Sequence, residues 1–269
     1  MKTLKNWMSP LALVTLLFVA ACSGDEGIEG AVQLSDQDVD NIQDYEEALA
    51  GFRDGNDQVQ NYSDSVEANG RVASCAQAQL DTTENTFTLT LDFGEGCTGP
   101  LGVTRTGVLI YSLSLADETG FDFTTTFQNY TVQGYALNGT IATGNISFDQ
   151  EAGTISYDYS ITDGDVTNPE GRTLTINQDY RYVFDFNTFE ILADGITSGT
   201  LDGESFTHDV TTPLVLKAAC NQQEKVVPVE GVVDFTWGSR PTVQIDYGDG
   251  TCDTEATVSL GGLSQTITL

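Results

Sequence analysis

Basic residues are scarce in this 269-residue chain: 10 lysines and arginines stand against 40 aspartates and glutamates, a formal charge of −30. Binders of nucleic acid need clustered cations to displace counterions, so DNA and RNA drop out as partners. Electrostatic adhesion to anionic lipid is excluded on the same ground. Histidine occurs once, at position 208, which leaves no histidine-based metal set and one candidate base for a Ser-His-Asp arrangement. Asp209 would face the opposite way from it along a strand. Gly-x-Ser-x-Gly, Ser-x-x-Lys, His-Glu-x-x-His, P-loop and Rossmann glycine patterns do not occur. No catalytic residue, cofactor or metal site is therefore expected. The one pronounced apolar run, 11–21, is well short of the roughly 20 residues that a bilayer-spanning helix needs.

That run follows Lys2 and Lys5 and ends in Val19-Ala20-Ala21-Cys22. A basic start, a short apolar stretch and small residues before a break read as a signal peptide over 1–21. Val19-Ala20-Ala21-Cys22 resembles the bacterial lipobox, which implies acylation of the Cys22 thiol and cleavage that leaves Cys22 as the new N-terminus. Membrane contact would then come through the lipid. Ser23 after the cysteine resembles lipoproteins that go on to the outer membrane. Ser23-Gly24-Asp25-Glu26 resembles the acidic export tag of Bacteroidota surface lipoproteins, implying a cell-surface location.

Residues 22–74 differ from the rest. Thirteen acids and the single base Arg53 fall between 22 and 69, with few aromatics. Val39, Ile42, Tyr45 and Leu49 allow a weak amphipathic helix from about Asp36 to Phe52, with Ser35 as N-cap and Asp38 in the first turn. Gly51, Gly55 and Gly70 are expected to break it, and the segment reads as an acidic tether, part helical and part disordered.

From about residue 75 to 269 the pattern has period two. Ile155, Tyr157, Tyr159 and Ile161 alternate with polar residues, as do Leu174 to Phe186, Leu109 to Leu115, Phe121, Phe123 and Phe127, and Val233 to Trp237. Asn138-Gly139, Asp163-Gly164, Asn168-Pro169 and Asp202-Gly203 read as turns. The expected fold is all-β: an antiparallel meander of about ten strands, forming a β-sandwich or a curved, partly closed sheet. Beyond Cys22 the cysteines are Cys75, Cys97, Cys220 and Cys252, an even number that in an exported chain reads as two disulfides. Of three connectivities, Cys75–Cys97 and Cys220–Cys252 are expected, since each would bracket one hairpin.

The acidic glycine turns Asp92-Phe93-Gly94-Glu95-Gly96-Cys97 and Asp246-Tyr247-Gly248-Asp249-Gly250-Thr251-Cys252 echo one another. The second resembles the turn of PKD-type β-sandwich modules, without their preceding Trp. Its spacing fails the EF-hand pattern, so backbone capping is the expected role of its aspartates. With Asp92 to Pro100 and Thr211 to Leu214 before Cys220, these turns resemble Bacteroidota outer-membrane lipoproteins of no assigned activity, over about 75–269. The resemblance implies architecture and location only. Regular alternation places Tyr157, Tyr159, Tyr180, Tyr182, Phe184 and Phe186 in the core and leaves Trp237 and Tyr247 as better candidates for exposure. The leading functional expectation is a non-enzymatic surface module that binds a glycan or protein partner or plays a structural role. The alternatives are a periplasmic-side carrier of an apolar ligand and a carboxylate-based glycan hydrolase.

Overall fold

The computed structural model describes residues 35–67, 75–99, 102–116, 120–220 and 227–269. Cys22 and the run before it lie outside them. One helix, α1 (Asp36–Glu67), precedes thirteen strands: β1 (Gln77–Thr82), β2 (Thr86–Thr98), β3 (Thr104–Ala116), β4 (Gly120–Val132), β5 (Tyr135–Asp149), β6 (Thr154–Thr167), β7 (Thr173–Asp185), β8 (Glu190–Leu201), β9 (Glu204–Lys217), β10 (Glu230–Trp237), β11 (Val243–Asp249), β12 (Glu255–Leu260) and β13 (Leu263–Thr268). All thirteen form one antiparallel meander in sequence order. It is a single sheet, not a sandwich, and it does not close: β1 and β13 are its edges. The strands beyond about ten come from the ends, where β1 is exposed at every position and β12 and β13 have only six residues each.

The sheet is bent, and bulges bend it. Register shifts interrupt most strand pairs, at Thr106/Val108, Phe127/Tyr130, Asn138/Thr140, Ile161/Gly164 and Ala193/Ile196 among others. Asn138-Gly139 and Asp163-Gly164, expected as turns, are such bulges inside β5 and β6. They face each other: a Cβ on Gly139, whose φ is 128°, would lie 2.9 Å from the carbonyl oxygen of Asp163. The local chemistry is that of a turn, but the flanking residues continue to pair. Asn168-Pro169 and Asp202-Gly203 do connect strands. Both expected disulfides are present, Cys75–Cys97 around the β1–β2 hairpin and Cys220–Cys252 around β10–β11. Loops of 22 and 32 residues correspond on the chain-entropy model to about 3–4 kcal/mol each.

The helix departs most from expectation. Its start is as read: Ser35 caps it, with its Oγ accepting from the Asp38 amide (3.3 Å) while Asp38 Oδ2 accepts from the Ser35 amide (2.7 Å). It then runs through Gly51 and Gly55 to Glu67 instead of ending near Phe52. Ile42, Tyr45, Ala48, Leu49 and Phe52 are buried in the same core as the sheet residues, so 36–67 is no spacer. The two glycines are the points of closest approach. A Cβ at Gly51 would lie 2.8 Å from Leu137, and one at Gly55 only 2.2 Å from the Phe127 ring. Glycine here lets the helix seat on β4 and β5, which outweighs its poor helix propensity.

The side chains of one helical turn show how far the sheet curls. Asp44 reaches the β6–β7 connection through Asn168 and Arg172, Tyr45 touches β8, β9 and β10, Glu46 meets β11, and Gln43 meets the end of β13. Flat, the strands from β7 to β13 would spread over roughly 29 Å at about 4.8 Å per neighbour. One turn of helix meets them all because the sheet wraps round it.

Candidate functional site

Three aspartates on the helix hold it in the trough. Arg240 donates to Asp38 (2.8 Å), and Arg172 donates to Asp44 and, at 2.5 Å, to Asn41 Oδ1. Arg105 grips Asp54 with both Nε (3.0 Å) and Nη2 (2.5 Å), and the fully buried Tyr130 hydroxyl donates to the same carboxylate (2.5 Å). Burial, reinforced by Asp54, raises the Tyr130 pKa and keeps the phenol a donor. Tyr111 adds a hydrogen bond to the Gly55 carbonyl and Thr125 one to Asn56 (2.8 Å).

Because α1 crosses the strands near one end of the trough, it leaves a gap against their middle. This cleft, of about 410 Å³, lies between one side of the helix and the inner face of β5–β9 and β11. Glu46, Leu49, Arg53 and Asp57 line it from the helix. Thr143, Tyr157, Tyr159, Tyr180, Tyr182, Ala193, His208 and Leu214 line it from the sheet. Register explains the tyrosines: Tyr157 pairs with Tyr182 and Tyr159 with Tyr180, so the four side chains share one face of two adjacent strands. Tyr157 and Tyr182 stack at 5.4 Å, and Tyr159 meets Tyr182 edge-on at 5.7 Å. Desolvation raises the pKa of Tyr182 to about 12 and pushes Tyr159 and Tyr180 up as well, so all three remain hydroxyl donors at neutral pH.

At the covered end of the cleft His208 is buried, packed 4.7 Å from the Tyr45 ring, with Nδ1 bonded to the Tyr180 hydroxyl at 3.0 Å. Its Nε2 has no protein partner. Desolvation lowers its pKa to about 3, so it is a neutral imidazole. Phe206, His208 and Val210 share the buried face, as alternation requires, and Asp209 points outward. Asp57 has its pKa raised by desolvation and by Asp54, with Arg53 opposing. Arg53 itself differs from every other described cation. Arg105, Arg172, Arg181, Lys217 and Arg240 each form an ion pair. Among the described residues Arg53 alone forms none, and only its charge is felt, by Asp57, Tyr159, Tyr182 and Tyr247.

The aromatic expectation holds only in part: Tyr180 is buried in the core, with Tyr159 and Tyr182 packed against it. Trp237 and Tyr247 are buried, whereas Tyr157, Tyr159 and Tyr182 are half-buried around the cleft and Phe186 is exposed. Alternation identified the inner face correctly but could not show that the helix covers only part of it. The Asp246–Gly250 turn behaves as capping chemistry: Asp246 Oδ1 accepts from the Gly248 amide (2.9 Å) and Asp249 Oδ1 from the Thr251 hydroxyl (2.7 Å). No group of three or more His, Cys, Asp or Glu that could hold a metal occurs among the described residues. Of the expected site residues, the four disulfide cysteines lie at hairpin ends away from the cleft lining. Arg53 was missed, although its standing as the only base among thirteen acids was visible.

Comparison with known proteins finds no matching family model, no matching curated protein and no matching solved structure.

Proposed function

We propose that this is a non-enzymatic binding protein, anchored to the outer membrane through a lipid on Cys22 and facing the cell exterior. Its curved sheet takes a small ligand with substantial apolar surface between α1 and the tyrosine face of β6 and β7. The observation that carries this reading is the cleft. Its volume of about 410 Å³ falls within the roughly 300–1,000 Å³ of small-molecule sites, and aromatic walls with few polar points are typical of them. Its acids support binding over turnover. Glu46 and Asp57 lie eleven residues apart on one helix, so their backbones are about 16 Å apart along its axis. Even with the side chains turned toward each other, the carboxyl groups stay at or beyond the upper end of the roughly 5–9.5 Å found in a glycosidase.

A neutral fluorescent probe, N-phenyl-1-naphthylamine, tests the cleft. It should bind the full chain with saturable enhancement and lose that binding when Thr143→Trp fills the space, with the unfolding temperature measured alongside. Undiminished binding by a folded Thr143→Trp variant would move the site elsewhere. Cys22→Ala should release the protein from membranes. Unchanged fractionation and globomycin-sensitive processing would refute the anchor.

A further inference from the structure

Three features of the cleft carry more than the bare fact of a binding site. The first is shape. Beyond Tyr157 and Tyr182 the same inner face continues through Ile155 opposite Phe184, with Phe148 and Ile191 flanking them in register. Phe148 and Phe186 there are exposed and lie 6.1 Å apart. At about 3.4 Å per residue this extends the apolar floor by about 7 Å past the cleft, an elongated surface open at one end. The second is Arg53. In a chain so rich in acid, a guanidinium without an ion pair is unusual, and this one stands over the tyrosines, where its charge is felt by Tyr159 and Tyr182. Arginine presents a planar fork suited to carboxylate or phosphate oxygens. The third is His208, almost wholly buried at the covered end, with one nitrogen fixed by Tyr180 and Nε2 unpartnered. Buried polar atoms are rarely left so, and this one marks the covered end of the cleft as space that no protein group fills.

Resting on the reading of the cleft as a binding site, we infer that its ligand is an amphipathic anion: a chain-like apolar body lying along the β6–β7 aromatic face and a single carboxylate or phosphate held by Arg53. Fatty acids and alkyl or lipid phosphates share this chemistry. The Glu46 carboxylate is turned toward Tyr247, whose hydroxyl donates to it at 3.3 Å. Asp57, one helical turn further on, feels the Arg53 charge but forms no ion pair with it.

The test uses the full chain carrying Cys22→Ala, so that no detergent competes. N-phenyl-1-naphthylamine is displaced by dodecanol, dodecanoate, dodecyl phosphate or dodecylammonium, each below its micelle concentration. A charge-assisted hydrogen bond corresponds to about a ten- to hundredfold gain in affinity, so one or both anions should exceed dodecanol by that factor. Arg53→Gln, at an exposed position, should abolish the gain, so that the anions bind this variant no more tightly than dodecanol does. The tighter of the two anions names the head group. Equal affinities for all four, a preference for dodecylammonium, or an anion preference that survives Arg53→Gln would overturn the inference while leaving the apolar cleft standing. Displacement by none of them would refute the cleft as a lipid-like site altogether.

Discussion

Removing the Asp54 carboxylate should weaken the docking of the helix. Asp54→Ala deletes the acceptor of three hydrogen bonds at once, two from Arg105 and one from Tyr130. The partners left behind cannot readily turn to water: Tyr130 is fully buried and the Arg105 side chain is 12% exposed. Breaking a buried pair by removing one member costs about 3–5 kcal/mol, because the remaining charge is stranded. Asp54 itself is 24% exposed, so water can enter the space it vacates and the lower end applies, about 3 kcal/mol. For a domain of this size that is a fall of roughly 6–12 °C in unfolding temperature. The comparison is Asp158→Ala. Its partner Arg181 is at a similar distance, 2.6 Å, but the two side chains are 41% and 50% exposed, so the expected cost is about 0–1 kcal/mol. Thermal and urea unfolding of both variants, with the Asp54→Ala/Arg105→Ala cycle to isolate the coupling, measure the difference. If Asp54→Ala costs no more than Asp158→Ala, the helix is not held by this carboxylate.

Two further substitutions probe the same assembly. Gly55→Ala would gain about 1 kcal/mol in an exposed helix. Here the new methyl would meet Phe127 at 2.2 Å, and overpacking of about 1–3 kcal/mol should prevail. The unfolding temperature should therefore fall, and a rise of several degrees would show an undocked helix. His208 offers a pH test. Folding lowers its pKa from 6.5 to about 3, so the unfolded chain binds a proton that the folded one refuses. That stabilisation is complete above about pH 6.5 and is lost at up to about 1.4 kcal/mol per pH unit as pH falls toward 3. The difference in unfolding free energy between wild type and His208→Gln should thus shrink by about 2 kcal/mol from pH 7.5 to 5. A flat difference would mean that the imidazole is hydrated.

What the sequence showed and what it hid divide along a physical line. Strand alternation, hairpin-bracketing cysteines and the Ser35 cap are local signals, and each is present as expected. The bulges at Asn138-Gly139 and Asp163-Gly164 carry the same local chemistry as turns. Only the pairing of the flanking residues distinguishes the two, and pairing is not local. The helix was hidden by its own composition. Ten acids and two glycines within a modest apolar pattern resemble a solvated tether, because arginines far along the chain neutralise Asp38, Asp44 and Asp54, and the glycines fit contours on β4 and β5.

The same accounting bears on the cleft. Once Arg105, Arg172 and Arg240 are committed to docking the helix, and Arg181 and Lys217 to pairs on the sheet, Arg53 is the one described cation with no such duty. It lies on the side of the helix turned toward the tyrosines. A side chain kept only for solubility would more simply have been another acid in this chain, and one kept for docking would have a carboxylate across from it. Neither role fits Arg53, whereas a negative group brought in by a ligand does. The interior tells a consistent story. Where the helix covers the sheet, side chains such as Phe52, Tyr130 and Leu137 fill the space completely. Where it does not, the aromatic face continues uncovered. Packing ends where the helix's reach ends, and there the lone guanidinium stands.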